Sequence, residues 1–171
     1  SSLSFADDTD GDGLPDDWEI ENGRDPLVAD YQISTRFYHT CALDDTGVVC
    51  WGDNNDGQTT VPTLINPTQV SSGQSHTCAL DDTGVVCWGR TATTATSSLI
   101  NPTLVSSGYE HTCAVDDTGV VCFGGSNRYG ERTVPSSLIN PKLVSSGSYH
   151  TCALDDTGVV CWGDNRWGQR T

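Results

Sequence analysis

The stretch Cys41-Ala-Leu-Asp-Asp-Thr-Gly-Val-Val-Cys50 decides the fold. When the chain reverses direction at Asp45–Thr46, each residue before the turn lies opposite one after it. Directly opposed residues of an antiparallel pair have Cβ atoms about 4.5–5.5 Å apart, close to the spacing that a disulfide requires. The Asp-Asp-Thr-Gly segment suits the turn, with glycine at positive φ. We therefore predict a β-hairpin with the opposed pairs Cys41–Cys50, Ala42–Val49 and Leu43–Val48.

The same hairpin occurs four times, and its cysteines indicate the compartment. Zinc-binding cysteine pairs usually lie two to four residues apart, whereas each pair here brackets the same eight residues. A disulfide across each hairpin closes a ten-residue loop and contributes about 2.5–3 kcal/mol. Four such bridges imply an oxidising compartment, so we predict an extracellular or cell-surface protein. The predicted disulfides are Cys41–Cys50, Cys78–Cys87, Cys113–Cys122 and Cys152–Cys161.

The segment between hairpins also recurs, so the chain is built of repeats. It reads VPTLINPTQVSSG at 61–73, SSLINPTLVSSG at 97–108 and VPSSLINPKLVSSG at 134–147, with a degenerate copy, PLVADYQIST, at 26–35. We predict an all-β fold with three or four short strands in each repeat, the fourth being the Thr-Val-Pro segment. Residues 1–26 are predicted to form a separate N-terminal unit. The predicted repeats are about 27–60, 61–96, 97–133 and 134–171.

The pattern VSSGxxHTCALDDTGVVCWGDNxxGQ resembles the regulator-of-chromosome-condensation repeat, in the cysteine-containing form typical of secreted bacterial proteins. The resemblance covers about residues 27–171. It implies a β-propeller, commonly of seven blades, each a four-stranded sheet. This chain has four repeats, and residues 89–96 of the second replace the Gly-Asp-Asn-x-x-Gly-Gln loop. An open arc, a compact four-bladed ring and a solenoid-like stack are all compatible with the sequence.

Residues 8–19 have the spacing of a calcium-binding loop. Counted from Asp8, acids stand at positions 1, 3, 5 and 9, glycine at 6 and glutamate at 12, which is the EF-hand arrangement. Residues 8–28 also resemble thrombospondin type 3 repeats, which again implies bound Ca²⁺. A short helix is predicted to begin at Pro15 and end before Gly23; the alternative is an acidic, disordered leader. The predicted calcium ligands are Asp8, Asp10, Asp12, Leu14 through its carbonyl, Asp16 and Glu19.

The charge distribution excludes several partners. The formal net charge is −15, and ten acids but only one base, Arg24, lie within residues 1–30. Such a segment repels phosphate, which argues against nucleic acid and anionic membranes as partners. The chain also lacks an apolar run of about 18 residues, the length needed for a membrane span.

The repeated polar residues offer candidate catalytic groups, but each has a structural interpretation. We interpret the four histidines as half-buried side chains that hydrogen-bond within their own repeat, and the paired aspartates as caps of the hairpin turns. The aromatic residue after each second cysteine is predicted to pack over the disulfide or between repeats. With no nucleophile motif or phosphate loop, we predict no enzyme. The histidines are His39, His76, His111 and His150; the aromatic residues are Trp51, Trp88, Phe123 and Trp162.

Two functions fit these observations. The first is a structural protein, stabilised by calcium and disulfides, that self-assembles into a fibril or surface layer. The first repeat continues past its loop into Val61, whereas the equivalent part of the last repeat ends at Thr171. We therefore expect a neighbouring subunit to complete the last repeat. The surface serines and threonines of the protein are candidate sites for O-linked sugar. The alternative is a secreted recognition module or inhibitor that binds a protein through the loops 53–58, 126–132 and 164–170, where Tyr129 and Trp167 occupy equivalent places.

Overall fold

The structure is a computed structural model that describes residues 17, 20, 31–44, 46–90 and 98–170. Asp17 and Ile20 are helical and exposed, within the predicted short helix. The six predicted calcium ligands lie outside the described residues. The strands of the described part are β1 (Gln32–Arg36), β2 (His39–Asp44), β3 (Gly47–Gly52), β4 (Gln69–Ser72), β5 (His76–Asp81), β6 (Gly84–Gly89), β7 (Leu104–Ser107), β8 (His111–Asp116), β9 (Gly119–Gly124), β10 (Leu143–Ser146), β11 (His150–Asp155) and β12 (Gly158–Gly163).

The strands form four three-stranded antiparallel sheets, one in each repeat. Repeat 1 contains β1–β3, repeat 2 β4–β6, repeat 3 β7–β9 and repeat 4 β10–β12, each in the order of the sequence. The all-β prediction is therefore confirmed. Within the described residues the Thr-Val-Pro segments form no fourth strand, because the proline at their end has no N–H to donate to a ladder.

The hairpin register is the predicted one. Cys41 lies opposite Cys50, and the next pairs are Ala42–Val49 and Leu43–Val48. The other three hairpins have the same register, and all four predicted disulfides are present. The glycine that closes each turn has positive φ, 106° at Gly47. An L side chain rarely adopts this conformation, so the turn requires glycine.

The paired aspartates hold the hairpin turn and the preceding segment together. In repeat 2, Asp81 Oδ1 accepts bonds from the backbone N–H and hydroxyl of Thr83, and its Oδ2 accepts from the Ile65 N–H at 3.0 Å. Asp82 accepts from the side-chain amide of Asn66 at 2.7 Å. These bonds fasten the Leu-Ile-Asn-Pro segment to the turn, and repeats 3 and 4 make the same set. The predicted capping role of the aspartates is confirmed.

Neighbouring sheets bury the apolar core between them. Alternate residues of a strand point to opposite faces, so each hairpin has a trailing face, turned toward the next repeat, and a leading face, turned toward the previous one. Between repeats 2 and 3, the trailing residues Leu80 and Val85 pack against the leading residues Val105, Ala114 and Phe123. Equivalent clusters lie between repeats 1 and 2 and between repeats 3 and 4.

The first strands of the sheets surround a common centre. They pack in chain order, β1 against β4, β4 against β7 and β7 against β10. Ser72 N–H donates to Ser34 Oγ at 2.8 Å, and the next two pairs of first strands make the same bond. Arg36, at the end of β1, donates from Nη1 to the carbonyls of Ser107 and Ser146, at 3.1 Å each. The inner edge of repeat 1 therefore reaches those of repeats 3 and 4.

The described repeats form an open arc. Leu43, Leu80 and Val115, on the trailing faces of repeats 1–3, are at most 9% exposed, whereas the equivalent Leu154 of repeat 4 is 40% exposed. Of the three arrangements compatible with the sequence, a closed ring is inconsistent with this exposure. Within the described residues, no helix is long and apolar enough to cross a membrane.

Candidate functional site

The arc ends in two uncovered faces that match one another. The leading face of repeat 1 exposes Ile33 and Trp51, whose equivalents Val70 and Trp88 are buried. The trailing face of repeat 4 exposes Leu154 and, to 71%, Val159. Its side chains line an open apolar hollow of about 330 Å³. The same two types of face meet three times inside the arc, where their side chains form the buried clusters.

Each buried histidine hydrogen-bonds to the next repeat. Nε2 of His39 lies 2.9 Å from the hydroxyl of Thr77, and the same distance separates His76 from Thr112. His111 bonds Thr151 at 2.9 Å in the third case. The prediction that each ring bonds within its own repeat is wrong, because the side chain lies at the boundary between two sheets and points across it. The histidines therefore join repeats.

The histidine contacts predict an acid-sensitive fold. Burial, together with the charges of Arg36 and neighbouring histidines, lowers the pKa of His76 and of His111 from 6.5 to about 4. As the pH falls below about 6.5 the unfolded chain takes up protons first, so the free energy of unfolding is highest above that pH. We expect it to fall by up to about 3 kcal/mol per histidine as the pH approaches 4.

Urea unfolding at several pH values between 7.5 and 4.5 measures this loss. His76→Asn removes one titrating group and should make the dependence of unfolding free energy on pH less steep, whatever its own cost in stability. An unfolding free energy that stays constant across this range contradicts the prediction.

The loop that ends one repeat also bonds to the next. The carbonyl of Gln58 accepts the indole N–H of Trp88 and the hydroxyl of Thr77, both at 2.9 Å. In repeat 3, the carbonyl of Glu131 accepts from Trp162 at 2.9 Å and from Thr151 at 3.0 Å. The predicted packing of these aromatic residues between repeats is confirmed for Trp88, Phe123 and Trp162, which are 4–7% exposed.

An aromatic cluster is formed by residues that precede the second strands of repeats 1, 3 and 4 and by one residue of the loop 126–132. The ring of Phe37 is 5.4 Å from that of Tyr109, Tyr109 is 5.0 Å from Tyr149, and Tyr149 is 5.2 Å from Tyr129. The Arg166 guanidinium lies 4.7 Å from the Tyr129 ring centre. Burial and the neighbouring Tyr109 raise the pKa of Tyr149. These rings come from repeats 1, 3 and 4, so folding brings distant segments into one surface.

The candidate recognition loops have a shared conformation. In each, a backbone N–H donates to the side chain two residues later: Asp56 to Gln58, Tyr129 to Glu131 and Trp167 to Gln169. Tyr129 and Trp167 therefore occupy equivalent places, as predicted, but Tyr129 lies in the cluster while Trp167 is 89% exposed. The sequence prediction omitted Phe37, Tyr109 and Tyr149. Their signal is the pair of residues before each histidine, which varies inside an otherwise constant pattern.

The paired aspartates accept hydrogen bonds that stabilise the hairpin turns. The hydroxyl of Thr46 lowers the pKa of Asp44, and that of Thr157 lowers the pKa of Asp155. Polar cavities of about 600 and 300 Å³ adjoin the turns of repeats 3 and 2, but their carboxylates already accept the bonds described above. In the described part of the chain, no three His, Cys, Asp or Glu side chains are placed to hold a metal ion.

Comparison with known proteins gives a consistent picture. The Regulator of chromosome condensation (RCC1) repeat matches residues 32–58, 68–91, 103–131 and 142–169. No curated protein sequence matches significantly. Among solved structures, the ectodomain of the Physcomitrella patens receptor kinase CR4 is similar at 24% identity and a TM-score of 0.62, covering 74% of this chain and 39% of that one.

Two further structures are similar over comparable spans. The CRINKLY WD40 ectodomain of the Arabidopsis thaliana receptor kinase ACR4 has 26% identity and a TM-score of 0.61, covering 78% of this chain and 49% of that one. Prp20p of Saccharomyces cerevisiae, studied for its binding to Gsp1p and histones, has 20% identity and a TM-score of 0.66, with 81% and 45% covered. The chain thus spans about two fifths to one half of the length of these proteins.

Proposed function

We propose that this chain, which belongs to the Regulator of chromosome condensation (RCC1) repeat family, is a non-enzymatic extracellular structural protein whose copies assemble into a filament or surface layer. The trailing face of repeat 4 binds the leading face of repeat 1 in the next copy, which covers both faces. The observation that carries this proposal is the exposure of Leu154 and Val159 at one end of the arc and of Ile33 and Trp51 at the other.

Burial of apolar surface at these faces contributes to the proposed association. Burying apolar surface contributes about 25 cal/mol per Å², so covering several large side chains offsets part of the entropy lost when two molecules join. The contact is head-to-tail, since the two faces belong to different repeats. Head-to-tail contacts that do not close into a ring produce open filaments. The proposed filament therefore requires that successive copies do not close into a ring.

The extracellular part of the proposal is supported by the disulfides and by relatives. All eight cysteines are paired, which is typical of oxidising compartments. Two of the similar structures are ectodomains of plant receptor kinases. In the proposed protein, Ca²⁺ bound by Asp8, Asp10, Asp12, Leu14, Asp16 and Glu19 stabilises the segment that precedes repeat 1, and surface serines and threonines are candidate carriers of O-linked sugar.

Substitution on the trailing face tests the proposal. Val159→Asp places a charge where an apolar contact is expected, and because Val159 is 71% exposed within one copy, the fold should tolerate it. We expect the wild-type chain to form larger species as concentration rises, and the variant to need on the order of 100-fold more protein, since burying an unpaired charge costs several kcal/mol. Sedimentation velocity and electron microscopy measure both.

Ile100→Asp is the matched control. Ile100 is 52% exposed, similar in size and located beside the hairpin turn of repeat 3, away from both end faces. It should assemble as the wild type does. A wild-type chain that stays monomeric at every concentration, or a Val159→Asp variant that assembles normally, overturns the proposal. Repeating the series with EDTA tests the calcium: assembly unchanged by the chelator argues against a stabilising ion.

Recognition of a different protein is the second candidate, favoured by the aromatic cluster of Phe37, Tyr109, Tyr129 and Tyr149 with Arg166 beside it. Exposed aromatic and arginine side chains are enriched at binding surfaces. Prp20p, with a similar fold, has been studied for binding to Gsp1p and histones. In this case Trp167→Ala should weaken partner binding without changing assembly, and a stable monomer would favour this function.

A further inference from the structure

We infer that the junction between copies reproduces the polar contacts made between repeats inside the chain, with His150 and Gln169 of one copy bonding Thr40 and Trp51 of the next. This inference rests on the proposed assembly and specifies its register. It follows from contacts that occur repeatedly between repeats of one molecule and that leave the member at each end of the arc without its partner from a neighbouring repeat.

The histidine series supplies the first contact. Three successive histidines bond the threonine of the following repeat at 2.9 Å. The series leaves His150 at the trailing end and Thr40 at the leading end. Thr40 is partly exposed and its hydroxyl donates to Thr35 Oγ1 at 3.2 Å, which leaves the Thr40 oxygen able to accept a bond. Its equivalents Thr77, Thr112 and Thr151 are at most 2% exposed. Docking of repeat 1 on repeat 4 places His150 against Thr40 in the geometry found three times above.

The second contact involves the backbone carbonyl of the loop that ends a repeat. In this chain, the presence of that loop correlates with the type of aromatic residue in the next repeat. Where a repeat ends in a loop like 53–58, the next repeat has a tryptophan that donates its indole N–H to the loop carbonyl, as Trp88 does to Gln58. Repeat 2 lacks this loop sequence after Gly89, and repeat 3 has Phe123, which has no N–H to donate. Tryptophan therefore accompanies the loop, and phenylalanine accompanies its replacement.

Repeat 4 ends in a loop of the type that is followed by a tryptophan in the next repeat. In residues 164–170 the bonds of the first loop recur: Trp167 N–H donates to Gln169 Oε1 at 2.9 Å and Arg170 N–H to Asn165 Oδ1 at 2.9 Å, as Asp56 and Thr59 do to Gln58 and Asn54 in repeat 1. Gln169 is the equivalent of Gln58. Repeat 1 of the next copy offers Trp51, which is 50% exposed, rather than a phenylalanine.

The first strands supply a third contact. Ser34, Ser71 and Ser106 each accept, at Oγ, a backbone N–H from the next first strand at 2.8–2.9 Å. Ser145 is the fourth member of this series, and the N–H that would reach it is that of Thr35 in the next copy. Three series of contacts therefore give one and the same register for the junction.

Two conservative substitutions test the register. Trp51→Phe removes the indole N–H but keeps an apolar ring, and Thr40→Val removes the hydroxyl but keeps the shape. Each should raise the concentration needed for assembly by about tenfold, because it removes a hydrogen bond across the junction and leaves the partner group buried and unpaired. Trp167→Phe, on an exposed tryptophan of the adjacent loop, is the matched control and should assemble as the wild type.

A double variant tests whether His150 and Thr40 bond to one another across the junction. His150→Ala should weaken assembly on its own, but combined with Thr40→Val it should weaken assembly by less than the sum of the two single effects, because the two side chains share one bond. Normal assembly of Trp51→Phe, Thr40→Val and His150→Ala, with Val159→Asp still defective, overturns the register and leaves assembly standing. A wild-type chain that never assembles overturns both and indicates that another repeat covers the trailing face.

Discussion

Reduction of the four disulfides is expected to unfold the described repeats at neutral pH. Each bridge closes a ten-residue loop and contributes about 2.5–3 kcal/mol by limiting the unfolded chain. The four together contribute about 10 kcal/mol, which is comparable with the whole free energy of unfolding of an ordinary domain. Circular dichroism and tryptophan fluorescence, recorded before and after reduction and alkylation, should show loss of the sheets and exposure of the buried indoles.

Removal of one bridge provides the comparison. The double variant Cys78→Ala, Cys87→Ala keeps a small apolar side chain at each position and should cost about 3 kcal/mol, so the chain remains folded with a lower midpoint of urea unfolding. Stability that survives full reduction would contradict the prediction. The repeat cores, rather than the covalent bridges, would then be the main source of stability.

Trp88→Ala is expected to lower the free energy of unfolding by about 3–5 kcal/mol, the usual cost of removing a large buried aromatic side chain. Trp88 is 7% exposed and donates its indole N–H to the Gln58 carbonyl across the boundary between repeats 1 and 2. Its loss therefore leaves a cavity and removes an inter-repeat bond. Urea unfolding followed by circular dichroism measures the change as a shift of the midpoint.

Trp51→Ala is the matched control, since the residue follows the same Val-Val-Cys sequence but lies on the uncovered face of repeat 1. It is 50% exposed, so its removal should cost about 1 kcal/mol or less. Both variants should be measured at a concentration at which the wild type is monomeric. Equal losses in the two variants would show that the boundary between repeats does not determine the contribution of this tryptophan.

The hairpins and their disulfides were predictable because the information is local. A cysteine pair separated by an Asp-Asp-Thr-Gly turn fixes the register within ten residues, and the observed pairs Ala42–Val49 and Leu43–Val48 follow from it. The aspartate caps were predictable for the same reason. The absent fourth strand was harder to predict, because the Thr-Val-Pro segment is strand-like in composition but continues into residues whose bonds go to the hairpin turn.

The contacts between repeats were not predictable from the pattern. A repeated histidine shows that its place in the repeat matters, but its partner, such as Thr112 for His76, depends on how the sheets stack. The aromatic cluster was missed for a related reason: Phe37, Tyr109 and Tyr149 are far apart in the sequence, and only the curvature of the arc joins them. The same curvature places repeats 1 and 4 near a common centre while leaving their outer faces open.

The bonds from Arg36 to the carbonyls of Ser107 and Ser146 change how the array can lose structure. In a repeat array with contacts between neighbours alone, terminal repeats can unfold one at a time while the rest remain intact. Here repeat 1 is also tied to repeats 3 and 4, so fraying of the first repeat releases bonds at the opposite end. Loss of repeat 1 therefore weakens repeats 3 and 4 directly, which favours unfolding of the four repeats together over unfolding of one end at a time.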